Sequence, residues 1–279
     1  MTVVTPATAG WPGTVAERAA AAGRIVGNEV VKGLRILWSH KAALIPQLAV
    51  LGVMYLMFQL ILGGGRLVPA LLPVTLFAYV VYVVNYIALL KIVAGLLEEV
   101  NTGTLEQAHL SPLRPWSMVA GRLLAVLIEG VASALLVGAV FVVALGIDIP
   151  WRAAAVVPLL LTLADIAGFA LLLAGIALVV ASIGAIVHVI NSMIMMINGA
   201  LVPITAFPPG LELAAKFVPT TLGIDVSRKA LFDGAPVTAL VADGSLGAAA
   251  LHAAVMLAVG WAVYRWAVRV GLRDGRLGP

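Results

Sequence analysis

The sequence predicts an all-α integral membrane protein with six transmembrane helices, and three observations carry that expectation. Apolar residues make up 62% of the 279 residues and charged ones only 11%, with a mean hydropathy of +1.11; soluble domains hold about 45–50% apolar residues. Apolar windows of about 20 residues, each enough to cross about 30 Å of hydrocarbon at about 1.5 Å per residue, recur six times along the chain. The short segments of alternating polarity that mark a transmembrane β-barrel are missing. Cysteine is absent too, which excludes disulfides, thiolate metal sites and cysteine nucleophiles.

Residues 1–13 hold Thr, Pro, Ala and Gly and read as unstructured, with no basic start and apolar core of the kind a signal peptide needs. Over 14–38 the helical period places Ala19, Val26, Val30, Leu34 and Leu37 on one side and Arg24, Asn28, Lys32 and Arg35 on the other. This is an amphipathic helix, either lying on the membrane with its basic face toward anionic headgroups or packed on another part of the protein. The first span is expected over 42–62, with Pro46 in its first turn where proline is tolerated. Gly63, Gly64, Gly65 and Arg66 turn the chain into a second span over 67–97, long enough to tilt or protrude, with Lys91 near its charged end. In it Tyr79, Tyr82 and Tyr86 recur at helical spacing beside Asn85, as a lining for a substrate path or as helix packing with bonded hydroxyls.

A polar loop, Glu98 to Arg122, then separates two lipid-like segments. Thr104 and Gln107 fit a capping box opening a short helix over 105–110, which Ser111 and Pro112 stop. Glu98 and Glu99 stand at the carboxyl end of a helix, where the macrodipole disfavours acids, so they either meet a basic partner or are simply solvated. The third span is expected over 116–146, the fourth over 154–180 and the fifth over 186–204. Residues 205–247 break the pattern with Pro208, Pro209, Gly210 and Pro219, leaving two short helices over 211–217 and 223–232 that cannot span and must be shielded by protein or water. The sixth span, 248–270, ends among Arg265, Arg269, Arg273 and Arg276. Twelve of the 17 basic residues fall on the side of both termini, against five opposite. The positive-inside rule therefore makes the termini and the 98–115 loop cytoplasmic and the 205–247 region external, in the cytoplasmic (inner or plasma) membrane.

This order of segments resembles the permease subunit of ABC-2 type transporters, a type V exporter-like architecture. The resemblance is carried by Glu98, Glu99, Asn101, Gly103, Thr104, Leu105, Glu106, Gln107, Leu110, Ser111, Pro112 and Leu113, similar to that family's E-x-x-x-G-T-L-E-x-L-x-x-S-P-L loop, with Ala108 where leucine is usual. A second likeness runs through Pro219, Thr220, Gly223 and Arg228, similar to its P-T-x-x-G-x-x-x-x-R segment. The resemblance implies two domains of the chain: a 1–40 lead with the interfacial helix, and a six-helix transmembrane domain over 41–279. It implies that Glu98, Glu99, Gly103, Thr104, Leu105, Glu106, Gln107, Ser111, Pro112 and Arg114 form a coupling element that docks on a separate ATP-binding subunit. A second permease, identical or related, would enclose the translocation path. The chain has no G-x-x-x-x-G-K-[ST] loop, so ATP and Mg are expected only through the partner, with no cofactor or metal held here. Membrane lipids are expected neighbours and nucleic acid is not. Export is the family's direction, and the apolar content suggests an amphipathic, lipid-like or drug-like cargo.

Polar groups within lipid are functional candidates by default. His188, Asn191, Met195 and Asn198 share one side of the fifth span, and Glu129 and Asp165 lie inside the third and fourth. They either line the substrate path or bond helices together. A proton-coupled secondary transporter using Glu129, Asp165 and His188 is the alternative, with no inverted repeat to support it. An enzyme is not expected: Ser182 and His252 sit on different segments, and the four histidines are too scattered for a metal site.

Overall fold

The computed structural model describes residues 15–39, 41–103, 115–180 and 183–273. The expected capping-box helix, with Thr104, Leu105, Glu106, Gln107, Ser111, Pro112 and Arg114, lies outside the described residues, as do the first 14 residues, Ser182, Arg276 and the C-terminus.

Ten α-helices follow one another in the described residues: α1 Val15–Ser39, α2 Lys41–Leu62, α3 Leu72–Asn101, α4 Pro115–Leu145, α5 Val156–Val179, α6 Ile183–Ile197, α7 Pro209–Ala215, α8 Thr221–Leu231, α9 Val237–Ala242 and α10 Ser245–Arg273. Single 3-10 turns precede α5 at Ala153–Ala155 and α7 at Ile204–Ala206. Five of these elements are long and apolar enough to cross a membrane: α2, α3, α4, α5 with its 3-10 turn, and α10.

The expected fifth span is cut short. Instead of running to Ile204, α6 stops at Ile197 after 15 residues, about 22 Å at 1.5 Å per residue. Gly199 turns the backbone with φ +80°, and the chain leaves the helix inside the protein, Asn198, Gly199 and Ala200 all being buried. Asn198 is the reason this break is tolerated: its Oδ1 accepts the Ala200 N–H at 3.0 Å, satisfying a backbone donor that lipid would leave bare. The second span also differs, starting at Leu72 rather than 67, because Pro73 in the first turn fixes the entry and residues 68–71 close a separate turn through Leu71 N to Val68 O at 3.0 Å. Two short helices were expected between the fifth and sixth spans. Three are present, the third, α9, beginning right after Pro236.

α3 is the axis of the bundle, buried along most of its length against α4 and α5. α5 and α10 pack most closely of all. A Cβ on Gly168 would overlap the backbone of Met256 and Leu257, one on Gly260 would overlap Gly168 O, and one on Gly175 would stand 2.8 Å from Tyr264 N. Contacts advance together along both helices, so α5 and α10 run parallel, backbone against backbone. In lipid, where no hydrophobic force pushes helices together, such small-residue contact supplies the association.

α1 follows the second of the two readings, packed on another part of the protein. Arg24, Asn28, Lys32 and Arg35 are exposed as the periodicity predicts. The helix also lies along the start of α4, with Gly33 facing Ala125 and Gly121 facing Val26 and Glu29. It is thus joined to the helix that follows the polar loop.

Candidate functional site

Two polar assemblies interrupt this apolar bundle. The first lies at the end where α3 stops. Thr102 N–H donates to Glu98 O at 2.9 Å and Gly103 N–H to Val100 O at 3.1 Å; Gly103 takes φ +68°, a left-handed turn that ends α3 and aims the chain into the 104–114 stretch. Glu99 is gripped in a bidentate ion pair by Arg122 of α4, one arm of which is Arg122 Nη1 to Glu99 Oε2 at 2.6 Å. Further along the same interface Lys91 of α3 pairs with Glu129 of α4. Glu129 is buried while Lys91 is partly open, so the carboxylate is held inside the bundle by a cation that reaches in. These two pairs, with Glu29 and Lys32 of α1 and with Glu98, border a cavity of about 470 Å³ between α1, α3 and α4. The acids that ended α3 against its dipole therefore do meet a basic partner, on the chain itself, at least for Glu99.

The second assembly lies near the other ends of α5 and α10. Asp165, buried at 4% exposure, accepts the Thr220 N–H at 2.7 Å and faces His252 Nδ1 at 3.0 Å. His252 Nε2 stands 3.4 Å from Phe217 O. Asn198 Nδ2 donates to Thr220 Oγ1 at 3.0 Å. One short stretch, 217–220, is thus clasped by α5, α10 and the end of α6. Thr220 holds φ +72°, the only non-glycine residue described with a left-handed backbone; conformations of this kind cost about 1–3 kcal/mol and persist where the surroundings enforce them. Gly223 follows where α8 presses on α5, and a Cβ there would overlap Thr162. Arg228 reaches back to Ala200 O at 3.5 Å, beside the break after α6; burial pushes its guanidinium down to about 10, with Asp225 opposing, so it stays charged at neutral pH. The Pro219, Thr220, Gly223 and Arg228 pattern thus has a structural meaning: a stop, a clasped strained residue, a close approach and an arm to the broken helix.

The remaining candidates divide. Tyr79 and Tyr82 are buried in the α2/α3/α4 packing, with Tyr79 OH donating to Leu51 O at 2.7 Å and Tyr82 against Tyr79 and Tyr86. Asn85 Nδ2 donates to Asn191 Oδ1 at 3.3 Å, joining α3 to α6, and leaves Asn85 Oδ1 and Asn191 Nδ2 without a hydrogen-bond partner among the described residues. Asn191 and Met195 on α6 and Asn198 just after its end are buried while His188 is exposed, so the stripe read from the sequence is split at its first member. Glu129, Asp165 and His188 do not converge, the first two being paired elsewhere.

Residues 30–232 match the family model of the ABC-2 type transporter. The chain belongs to the ABC-2 type transporter family. No curated protein matches it at a significant level. As an ABC-2 membrane component it is a multi-pass transport protein, and the matched stretch runs from the middle of α1 to the residue after α8, taking in the Glu99–Arg122 and Lys91–Glu129 pairs and, of the second assembly, all but His252. Sequence reading found Asp165 but missed its partner His252, and found Glu129 but missed Lys91 as its counter-ion.

Proposed function

We propose that this chain is the membrane-spanning permease subunit of an ATP-driven exporter, powered by a separate ATP-binding subunit that docks on the 98–115 loop. One observation supports this above the others: the family's loop begins where α3 is ended by Gly103 and locked to α4 by the Glu99–Arg122 pair. A push on the loop would therefore reach two spans at once. Glu98, Glu99, Gly103, Thr104, Leu105, Glu106, Gln107, Ser111, Pro112 and Arg114 carry the coupling. A second permease, identical or related, completes the path, and the cargo is amphipathic, lipid-like or drug-like. Asn85 and Asn191, each with a spare amide group inside the bundle, are the best placed of the path candidates to meet a polar group of the cargo. Both termini are cytoplasmic, and the α7–α9 segment is external.

Gentle extraction from native membranes, followed by mass spectrometry of copurifying proteins, is the test. A partner carrying a Walker A sequence at equal stoichiometry is expected. Recovery of this chain alone would overturn the reading. In the reconstituted complex, Glu106→Lys or Gly103→Pro should leave the chain inserted and ATP hydrolysis running while transport falls at least tenfold; unchanged transport would remove the loop from the coupling role.

A further inference from the structure

The space between α3, α4 and α5 is used by neither polar assembly. α3 packs on both of the other helices, but α4 and α5 barely touch, and between them opens a groove of about 420 Å³. Phe77, Val80 and Val84 of α3 form its back, Leu135 and Ala139 of α4 one rim and Leu163 of α5 the other. Leu135, at 62% exposure, and the exposed Ala139 show that it opens sideways, at the depth of the apolar spans. The one hydroxyl in its walls is already engaged, Thr162 Oγ1 donating to Pro158 O at 2.8 Å. Water has no partners there. An empty groove would forfeit dispersion contacts along its whole wall. Hydrocarbon is what such a space accepts.

The mouth has different chemistry. Trp151 lines the groove yet is 76% exposed. Arg152, the next residue, is exposed as well, and its guanidinium lies against Gly234, where a Cβ would overlap it. Leu231, one turn before Gly234, is itself a wall of the groove, so two separate segments bring the cation to the same mouth. Arg152 forms no ion pair among the described residues. An indole at the membrane–water boundary beside an uncommitted guanidinium fits a phosphate attached to a buried chain.

We propose that the α3–α4–α5 groove binds one acyl chain of an anionic phospholipid, with its phosphate on Arg152 and the indole of Trp151 against the glycerol region. On the topology given above this lipid belongs to the outer leaflet. The site is separate from the coupling loop and from the polar path candidates, and it holds or fails independently of what the transporter exports.

The test uses the full chain, purified in detergent together with whatever subunits accompany it and stripped of lipid. Phosphatidylglycerol or phosphatidylcholine with the same chains is then added, and bound lipid is counted by native mass spectrometry. One phosphatidylglycerol per chain is expected, at least tenfold preferred over phosphatidylcholine. Ala139→Phe, which fills the groove from its rim, should abolish retention. Arg152→Gln should bring the two lipids to near parity. Val140→Phe, on the exposed side of α4 away from the groove, should retain the lipid. In the unaltered chain, phosphatidylglycerol with a photoreactive acyl chain should label the 131–142 and 159–166 segments, a readout that no folding defect can confuse. Absence of bound lipid, equal retention of the two lipids by the unaltered chain, or labelling elsewhere would overturn the proposal. So would an Ala139→Phe variant that keeps its lipid but loses association with a second copy, which would make the groove a protein interface.

Discussion

Asp165 shows what one carboxylate in lipid must do to be tolerated. It accepts a backbone N–H from Thr220 with one oxygen and faces His252 with the other, so its removal leaves the buried Thr220 N–H without a partner, at about 1–3 kcal/mol, and takes the half-buried His252 ring's carboxylate away as well. Asp165→Leu should therefore destabilise the detergent-extracted protein by several kcal/mol in thermal or denaturant unfolding. Asp165→Asn, which retains an acceptor for Thr220, should lie between that variant and the unaltered chain; equal stability of all three would mean the clasp is idle. The Glu99–Arg122 pair gives a second prediction at this scale. Glu99→Gln and Arg122→Gln should each weaken both stability and coupling, whereas the swapped pair Glu99→Arg with Arg122→Glu should recover part of the loss. A double-variant cycle measures this, because removing one partner strands the other charge in a partly buried interface.

Among the elements, the parallel α5–α10 contact is the least forgiving. Gly260→Val should reduce the amount of inserted, protease-resistant protein at least several-fold, since its branched side chain would meet the Gly168 carbonyl. Gly23→Ala, on α1 with open space around it, should be silent or slightly stabilising. Helices were the easiest features to read from the sequence, since hydrophobic length alone reports a span: α3, α4, α5 and α10 end within a few residues of where their apolar windows end. The early stop of α6 was missed because the apolar run continues through Ala200, Leu201, Val202 and Ile204 and outweighed the Asn198–Gly199 turn pair, where Gly199 takes the left-handed backbone and Asn198 holds the Ala200 N–H. Partners across the bundle were illegible for a related reason. Lys91 and Glu129, or Asp165 and His252, meet through helix register, which is set by where small residues allow close approach and not by the charged residues themselves. The role of the 217–228 motif became clear only in three dimensions, although its residue types were conspicuous in the chain.

Seen as a whole, the molecule is closed on some faces and bare on others. α2 touches the bundle mainly through Leu51, Tyr55 and Gln59, while Ile45, Val50, Val53, Met57 and Ile61 remain outside; α10 likewise leaves Leu251, Val255, Val259 and Trp266 exposed. Lipid or a second permease covers these faces in the function proposed above. On the topology proposed above, with both termini cytoplasmic, a tag fused after Pro279 should resist labelling from outside intact cells, and a tag inserted at Asp233 should be reached; the reverse pattern would invert the topology. The clasp at Asp165 also bears on how the chain is made. Its aspartate enters the membrane with α5, but Thr220 and then His252, on α10, leave the ribosome well after it. Until α10 has been made, α5 carries an unmatched acid and an uncovered stripe of glycines, both of which a membrane quality-control protease or chaperone can detect. Chains ended at about residue 243 should accordingly be degraded quickly although five hydrophobic segments have already been inserted, and supplying 244–279 as a separate polypeptide should rescue them. On that expectation α10 acts as a checkpoint, its arrival telling a chain whose buried acid is matched from one still exposed to degradation.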